Sequence, residues 1–124
     1  MTQQMDEAAE RAAVEQCING YFAGAAGTPD VLSDVFYSSC NLQSIDAQGR
    51  LELVPLDRFI TFAQAKKLPP FSGEILSVDI VDSMARAHVA FRFDGFSFED
   101  FLSLFKLNDR WRIVSKCYVR REAA

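Results

Sequence analysis

Four strands in direct succession, filling the last third of the chain, restrict its fold more than any other feature. Residues 74–81, 84–93, 98–107 and 110–120 each read as a strand, with short turns at Asp82-Ser83, Asp94-Gly95 and Asn108-Asp109. Turns this short join only antiparallel neighbours, so the four strands form a meander. Helical patterns occupy much of the first half, which predicts helices laid on one strongly curved antiparallel sheet, an α+β design.

Between Asp6 and about Ala26, apolar positions Val14, Cys17, Ile18, Tyr21, Phe22 and Ala25 recur at three- and four-residue steps, with Glu7, Glu10, Arg11 and Glu15 between them. This predicts a long amphipathic helix ending near Gly24 or Gly27, with residues 1–5 frayed. A second, shorter helix is expected from Thr28, with Pro29 at a position that needs no amide hydrogen. Residues 40–45 and 50–54 read as a hairpin around Asp46-Ala47-Gln48-Gly49. A third helix, beginning near Asp57, should run to Lys66-Lys67 before Pro69-Pro70. The single domain is assigned to residues 6–120 and a tail to 121–124.

Size and charge narrow the function classes. A chain of 124 residues supports one core and is too short for two. Its formal charge of −4 opposes a nucleic-acid groove, which needs a concentrated basic face. Lys66-Lys67 and Arg120-Arg121 read as solvated ends. No apolar run is long enough to cross a bilayer and the first residues lack an export-signal layout, so no membrane partner and a cytoplasmic location are expected. Cys17, Cys40 and Cys117 form no close pair and no zinc spacing, and are expected to be small buried hydrophobes.

Alternation assigns the faces of the meander. Leu76, Val78 and Ile80 share one side of their strand. In the next, Ala85, Ala87, Val89, Phe91 and Phe93 should face the helices, leaving Arg86, His88 and Arg92 outside. The third strand is apolar on both sides, with Phe101, Phe105 and Leu107 against Leu102 and Leu104. Its second side needs a cover, either another copy of the chain in a homodimer packed through the outer sheet face or a sheet curled tightly enough to bury both sides in one subunit.

Tyr21-Phe22-Ala23-Gly24, Asp30, Leu32 and Phe36, and then the closing run from Asp100 through Trp111-Arg112-Ile113-Val114-Ser115-Lys116, resemble the nuclear-transport-factor-2-like (NTF2-like) superfamily. The likeness is nearest to its small bacterial branch named for putative lumazine binding. It covers nearly the whole chain. Asp109-Arg110 departs from the Asp-Gly common in that branch. The resemblance implies an α+β cone of cystatin-like architecture, three helices on a curved sheet, usually dimeric, with an apolar cavity between the layers. Superfamily relatives include ketosteroid isomerases, dehydratases, polyketide cyclases and noncatalytic adaptors, so the fold alone selects no function.

Acid/base catalysis in such a cavity needs a titratable side chain inside it. His88, the only histidine, falls on the outer side by alternation. Glu99 and Asp100 lie on opposite sides of the third meander strand, so one of them points inward: Glu99 if the Phe101 side lines the cavity, Asp100 if the Leu102 side does. Tyr21, Ser115 and Cys117 are candidate polar anchors. Ser115 and Cys117 are assigned the same face as Trp111 and Ile113. With Phe22, Leu42, Phe59, Phe62, Phe91, Phe93 and Trp111, these residues would line an aromatic cavity suited to a small, flat, mostly apolar ligand. Eleven phenylalanines also suit plain core packing. No phosphate-binding loop, dinucleotide fingerprint, nucleophile elbow or two-histidine motif is present, so no cofactor or metal is implied. The leading expectation is a small-molecule-binding domain. A cofactor-independent isomerase, dehydratase or cyclase and a dimeric adaptor are the alternatives.

Overall fold

A computed structural model describes residues 6–66 and 68–123 of the chain. In chain order the elements are α1 (Glu7–Ala26), a 3-10 turn (Pro29–Val31) running into α2 (Leu32–Val35), β1 (Asn41–Ile45), β2 (Leu51–Pro55), α3 (Leu56–Gln64), β3 (Ser72–Val81), β4 (Met84–Arg92), β5 (Phe96–Leu107) and β6 (Arg110–Glu122). Residues 1–5, expected to fray, and Lys67, expected at a helix end, lie outside the described residues. The assigned tail begins too early, because β6 continues to Glu122, which pairs with Phe96.

Asp6 caps α1, its carboxylate accepting from the backbone N–H groups of Ala8 and Ala9 at 3.0 and 3.4 Å. The helix buries Val14, Cys17, Ile18, Tyr21 and Ala25 on one face and closes at Gly27, whose N–H bonds to the Ala23 carbonyl. Thr28 precedes the 3-10 turn without a side-chain capping bond. In the β1–β2 hairpin, Gly49 supplies a φ of 79° while Asp46 accepts from the N–H groups of Gln48 and Arg50, both at 2.9 Å. Between β5 and β6, Asn108 and Asp109 both take positive φ, 49° and 64°. This is a two-residue type I′ turn, which Asn and Asp tolerate without glycine.

The six strands form one sheet in the order β2-β1-β6-β5-β4-β3. All neighbours are antiparallel except β1 and β6, which run parallel with Leu42 opposite Lys116. The helices lie on one face. Between the layers Val14, Ile18, Leu32, Phe36, Val89, Leu104 and Ile113 are wholly buried.

The expected faces hold in β4 and fail in β3 and β6, for one reason. In β3 the pairing passes from Ile75–Val89 to Ser77–His88, leaving Leu76 as an extra residue. Ile75 therefore packs on the core with Val78 and Ile80, while Leu76 turns out to 38% exposure. In β6 the pairing passes from Ser103–Ser115 to Leu104–Ile113 and skips Val114. Each is a β-bulge, and one inserted residue reverses the sidedness of the strand beyond it. Trp111 and Ile113 point inward as expected, but beyond the bulge Lys116 is buried while Cys117 is exposed. Cys17 and Cys40 are buried as expected, and burial pushes both thiols up to about 11. The expectation of burial fails for Cys117.

The curl of the sheet does not hide both sides of β5. Asp100, Leu102 and Leu104 are buried beneath the helices, whereas Phe101 and Phe105 are 67% and 44% exposed on the outer face.

Candidate functional site

Beneath α1 and α3, and over the inner face of β1, β4, β5 and β6, the two layers part to leave a hollow of about 300 Å³. Tyr21 reaches it from the buried face of α1, Phe59 and Phe62 from α3, Leu42 from β1, and Phe91 and Phe93 from β4 and the turn after it. Phe62 and Arg58, both exposed, stand at the mouth.

Four expected lining residues lie elsewhere. Phe22 sits behind the wall, its ring packed on Phe91 at 5.1 Å between centroids and against Gly73, where a Cβ would come within 2.6 Å of it. Glycine at position 73 is thus what lets the ring lie on the β3 backbone. Trp111 is buried at another part of the core, its indole N–H donating to Glu10 Oε2 at 3.0 Å. Ser115 and Cys117 fall outside the hollow because the bulge at Val114 reverses their side of β6. Tyr118, Phe98 and above all Lys116 line it as well. Alternation from Trp111 assigns Lys116 to the solvent face, and no residue type in Ile113-Val114-Ser115 marks a bulge. Phe98, by contrast, shares a side with Asp100 on parity alone.

Inside the mouth, Tyr21, Asp100 and Lys116 form a polar cluster on the wall of the hollow. Of the two open choices for an inward carboxyl, the structure takes Asp100, 1% exposed. The Tyr21 hydroxyl donates to Asp100 Oδ2 at 2.6 Å, and Lys116 Nζ stands 3.7 Å from the same oxygen. Asp100 Oδ1 is buried with no hydrogen-bond partner among the described residues. Lys116, 6% exposed, has ring faces around its ammonium: Phe59 and Tyr118 at 4.8 Å and Tyr21 at 5.1 Å from Nζ to centroid. Burial pushes the Asp100 carboxyl above the usual carboxylate range, against the pull of Lys116 and the Tyr21 hydrogen bond. Burial likewise draws the Lys116 ammonium below the usual lysine range, opposed by Asp100. The Tyr21 phenol is driven well up, first by burial and then by the neighbouring Asp100 charge. Desolvation thus works against both charges of the pair, and their mutual attraction works for them.

Glu99 and His88 occupy the opposite side of the sheet. His88 Nε2 and Glu99 Oε1 are 2.7 Å apart, and Arg121 donates to Glu99 Oε2 at 2.9 Å. The His88 hydrogen bond, aided by Arg121, holds the Glu99 carboxyl below its ordinary range. Neither group reaches the hollow, so neither can act on a ligand seated there. Among the described residues no cluster of three or more His, Cys, Asp or Glu side chains offers a metal site, and no helix is long and apolar enough to cross a membrane.

The family model described as Putative lumazine-binding matches residues 9–119. An NTF2-like protein of unknown function from Silicibacter pomeroyi is 25% identical, with a TM-score of 0.83 over 94% of this chain and 100% of that one. Another, from Shewanella baltica, is 22% identical, with a TM-score of 0.86 over 97% and 100%. A protein with a cystatin-like fold from Caulobacter vibrioides, 15% identical, gives 0.63 over 89% and 88%. No curated protein matches the chain.

Proposed function

The chain belongs to the Putative lumazine-binding family within the NTF2-like fold, and on that premise we propose that its hollow binds a small, flat, mostly apolar molecule carrying one polar group. The observation that supports this reading most is the aromatic hollow whose wall carries one buried carboxyl and one buried amine side by side, Asp100 and Lys116. Rings seated against that wall would be held by burial and stacking, and the pair would orient one polar group. About 300 Å³ lies at the small end of ligand pockets, the size for one or two fused rings. Thermal shift against flat heterocycles, including lumazine, aromatic acids and steroids tests the reading. A ligand at 100 times its Kd adds about 2.7 kcal/mol. The reading fails if no member of such a set moves the unfolding midpoint.

A cofactor-independent isomerase, dehydratase or cyclase is the second reading, favoured by the raised carboxyl of Asp100 beside a Tyr21 donor. Deuterium uptake next to the carbonyl of a bound aryl ketone, lost in Asp100→Asn, would support it. Exchange equal to that in the variant would refute it.

A second copy packed on the outer sheet face would cover Phe101 and Phe105 together with Val119, Ile45 and Leu51, which are 55%, 70% and 64% exposed. The three free cysteines fit a reducing, cytoplasmic setting. An adaptor role would use the same face for a different partner.

A further inference from the structure

Lys116 is difficult to account for as a structural cation. Its nitrogen meets one carboxylate oxygen at 3.7 Å, and that oxygen is already engaged by Tyr21 at 2.6 Å. Its remaining surroundings are the three ring faces, and its end lies on the wall of an open hollow rather than inside packed core. A lysine amine set among aromatic rings and given a nearby carboxyl has what nucleophilic addition to a carbonyl requires: a lone pair, an apolar seat for the partner, and a group to move protons.

We propose that Lys116 binds its ligand covalently and reversibly, Nζ condensing with an aldehyde or ketone group of a flat molecule seated in the hollow while Asp100 carries the protons. This rests on the small-molecule reading above and names the ligand class as carbonyl compounds. The Nζ lone pair attacks the carbonyl carbon and the C=O π pair moves to oxygen. The proton lost from nitrogen passes to that oxygen through the Asp100 carboxyl group, giving a carbinolamine. Protonation of its hydroxyl by the Asp100 carboxyl expels water as the nitrogen lone pair forms C=N, and the remaining N–H proton returns to the Asp100 carboxylate. One carbonyl and one amine give one imine and one water, and nothing is oxidised or reduced. Tyr21 holds Oδ2 and is a positioning residue.

The experiment uses the whole chain with 2-naphthaldehyde and sodium cyanoborohydride, and 2-naphthalenemethanol as a carbonyl-free probe of the same shape. The chain has four lysines, Lys66, Lys67, Lys106 and Lys116, so peptide mapping after reduction reads every site at once. The expected result is one naphthylmethyl group per chain at Lys116, formed faster than at any other lysine, because the aldehyde is held beside that amine. Excess methanol analogue should slow labelling at Lys116 alone. Lys116→Arg should lose that adduct while the analogue still shifts its unfolding midpoint. Thermal stabilisation by both probes with no preferential adduct at Lys116 would overturn the imine and leave the binding reading standing. No stabilisation by either probe and uniform surface labelling would overturn both.

Discussion

Replacing Lys116 by methionine should destabilise the fold by an amount that pH controls. The side chain is buried beside Asp100, and its Nζ lies 3.7 Å from Oδ2. At an effective dielectric of about 20 a full ion pair at that distance is worth about 4.5 kcal/mol, offset by several kcal/mol of desolvation for each ion. Methionine keeps most of the apolar stem and removes the charge. Asp100 is then left without a cation, and the least costly response is to fold with its carboxyl protonated. Relative to an ordinary value of 3.8, taking up that proton at pH 7 costs about 4 kcal/mol, and at pH 4.5 about 1 kcal/mol. A group whose pKa rises on folding favours the fold below its unfolded value and loses that effect as pH climbs. The Lys116→Met deficit should therefore grow from about 1 to about 4 kcal/mol between pH 4.5 and 7. Asp100→Asn/Lys116→Met, in which the amide oxygen still accepts from Tyr21, should return to within about 1 kcal/mol of the parent, because neither ion remains. Urea denaturation at both pH values, with unchanged m, measures all four corners of the cycle. A Lys116→Met deficit below about 1 kcal/mol at pH 7 and flat with pH would refute the picture of a dry, coupled pair.

Glu10→Ala should cost about 2 to 3 kcal/mol, because the Glu10 carboxylate is the acceptor for both Lys106 Nζ at 2.7 Å and the Trp111 indole at 3.0 Å, and its loss strands a buried donor. Chemical denaturation measures it, and a loss below about 0.5 kcal/mol would mean that α1 is not clipped to the β5–β6 hairpin. Glu99→Gln should reduce stability by about 0.2–1 kcal/mol, and only above the ordinary glutamate value of 4.5. Its carboxyl is held low by the His88 hydrogen bond and by Arg121, so the stabilisation is fully present above that value and is lost as pH falls through the folded pKa. Unfolding curves at pH 3 and pH 7 should thus differ in their response. Phe101→Glu places a charge at the most exposed phenylalanine of the outer face and should shift a dimer toward monomer in light scattering with the fold intact by circular dichroism. An unchanged mass would remove that face from the interface.

The layers of the fold were legible because they arise from local periodicities. One face of α1 repeats at helical spacing, and β4 alternates cleanly enough that Ala85, Ala87, Val89 and Phe91 all point to the helices. Turn chemistry was equally readable at Gly49 and at Asn108-Asp109, where a two-residue connection admits few backbone conformations. The sequence left the inward carboxyl as a choice between neighbours, because β5 is apolar on both sides and parity alone does not say which side the helices cover. Leu102 and Leu104, wholly or almost wholly buried, carry Asp100 inward with them. Lys116 was not legible, since its inward position depends on a pairing shift against β5, which is a property of two strands together.

That shift decides the chemistry of the hollow. Without the extra residue at Val114, alternation from Ile113 would turn Ser115 and Cys117 inward and put Lys116 into solvent. Asp100 would keep the Tyr21 hydrogen bond but lose its cation, and its carboxyl would rise to the neutral acid, a donor and weak acceptor suited to holding a ligand and little else. With the bulge, the upper part of β6 still presents Trp111 and Ile113 to the core, while the lower part delivers a cation to the carboxylate from the neighbouring strand. One inserted backbone unit therefore separates a strand that packs against α1 from a strand that arms a cavity. The packing half constrains the register on one side of Val114, and the Asp100–Lys116 attraction constrains it on the other.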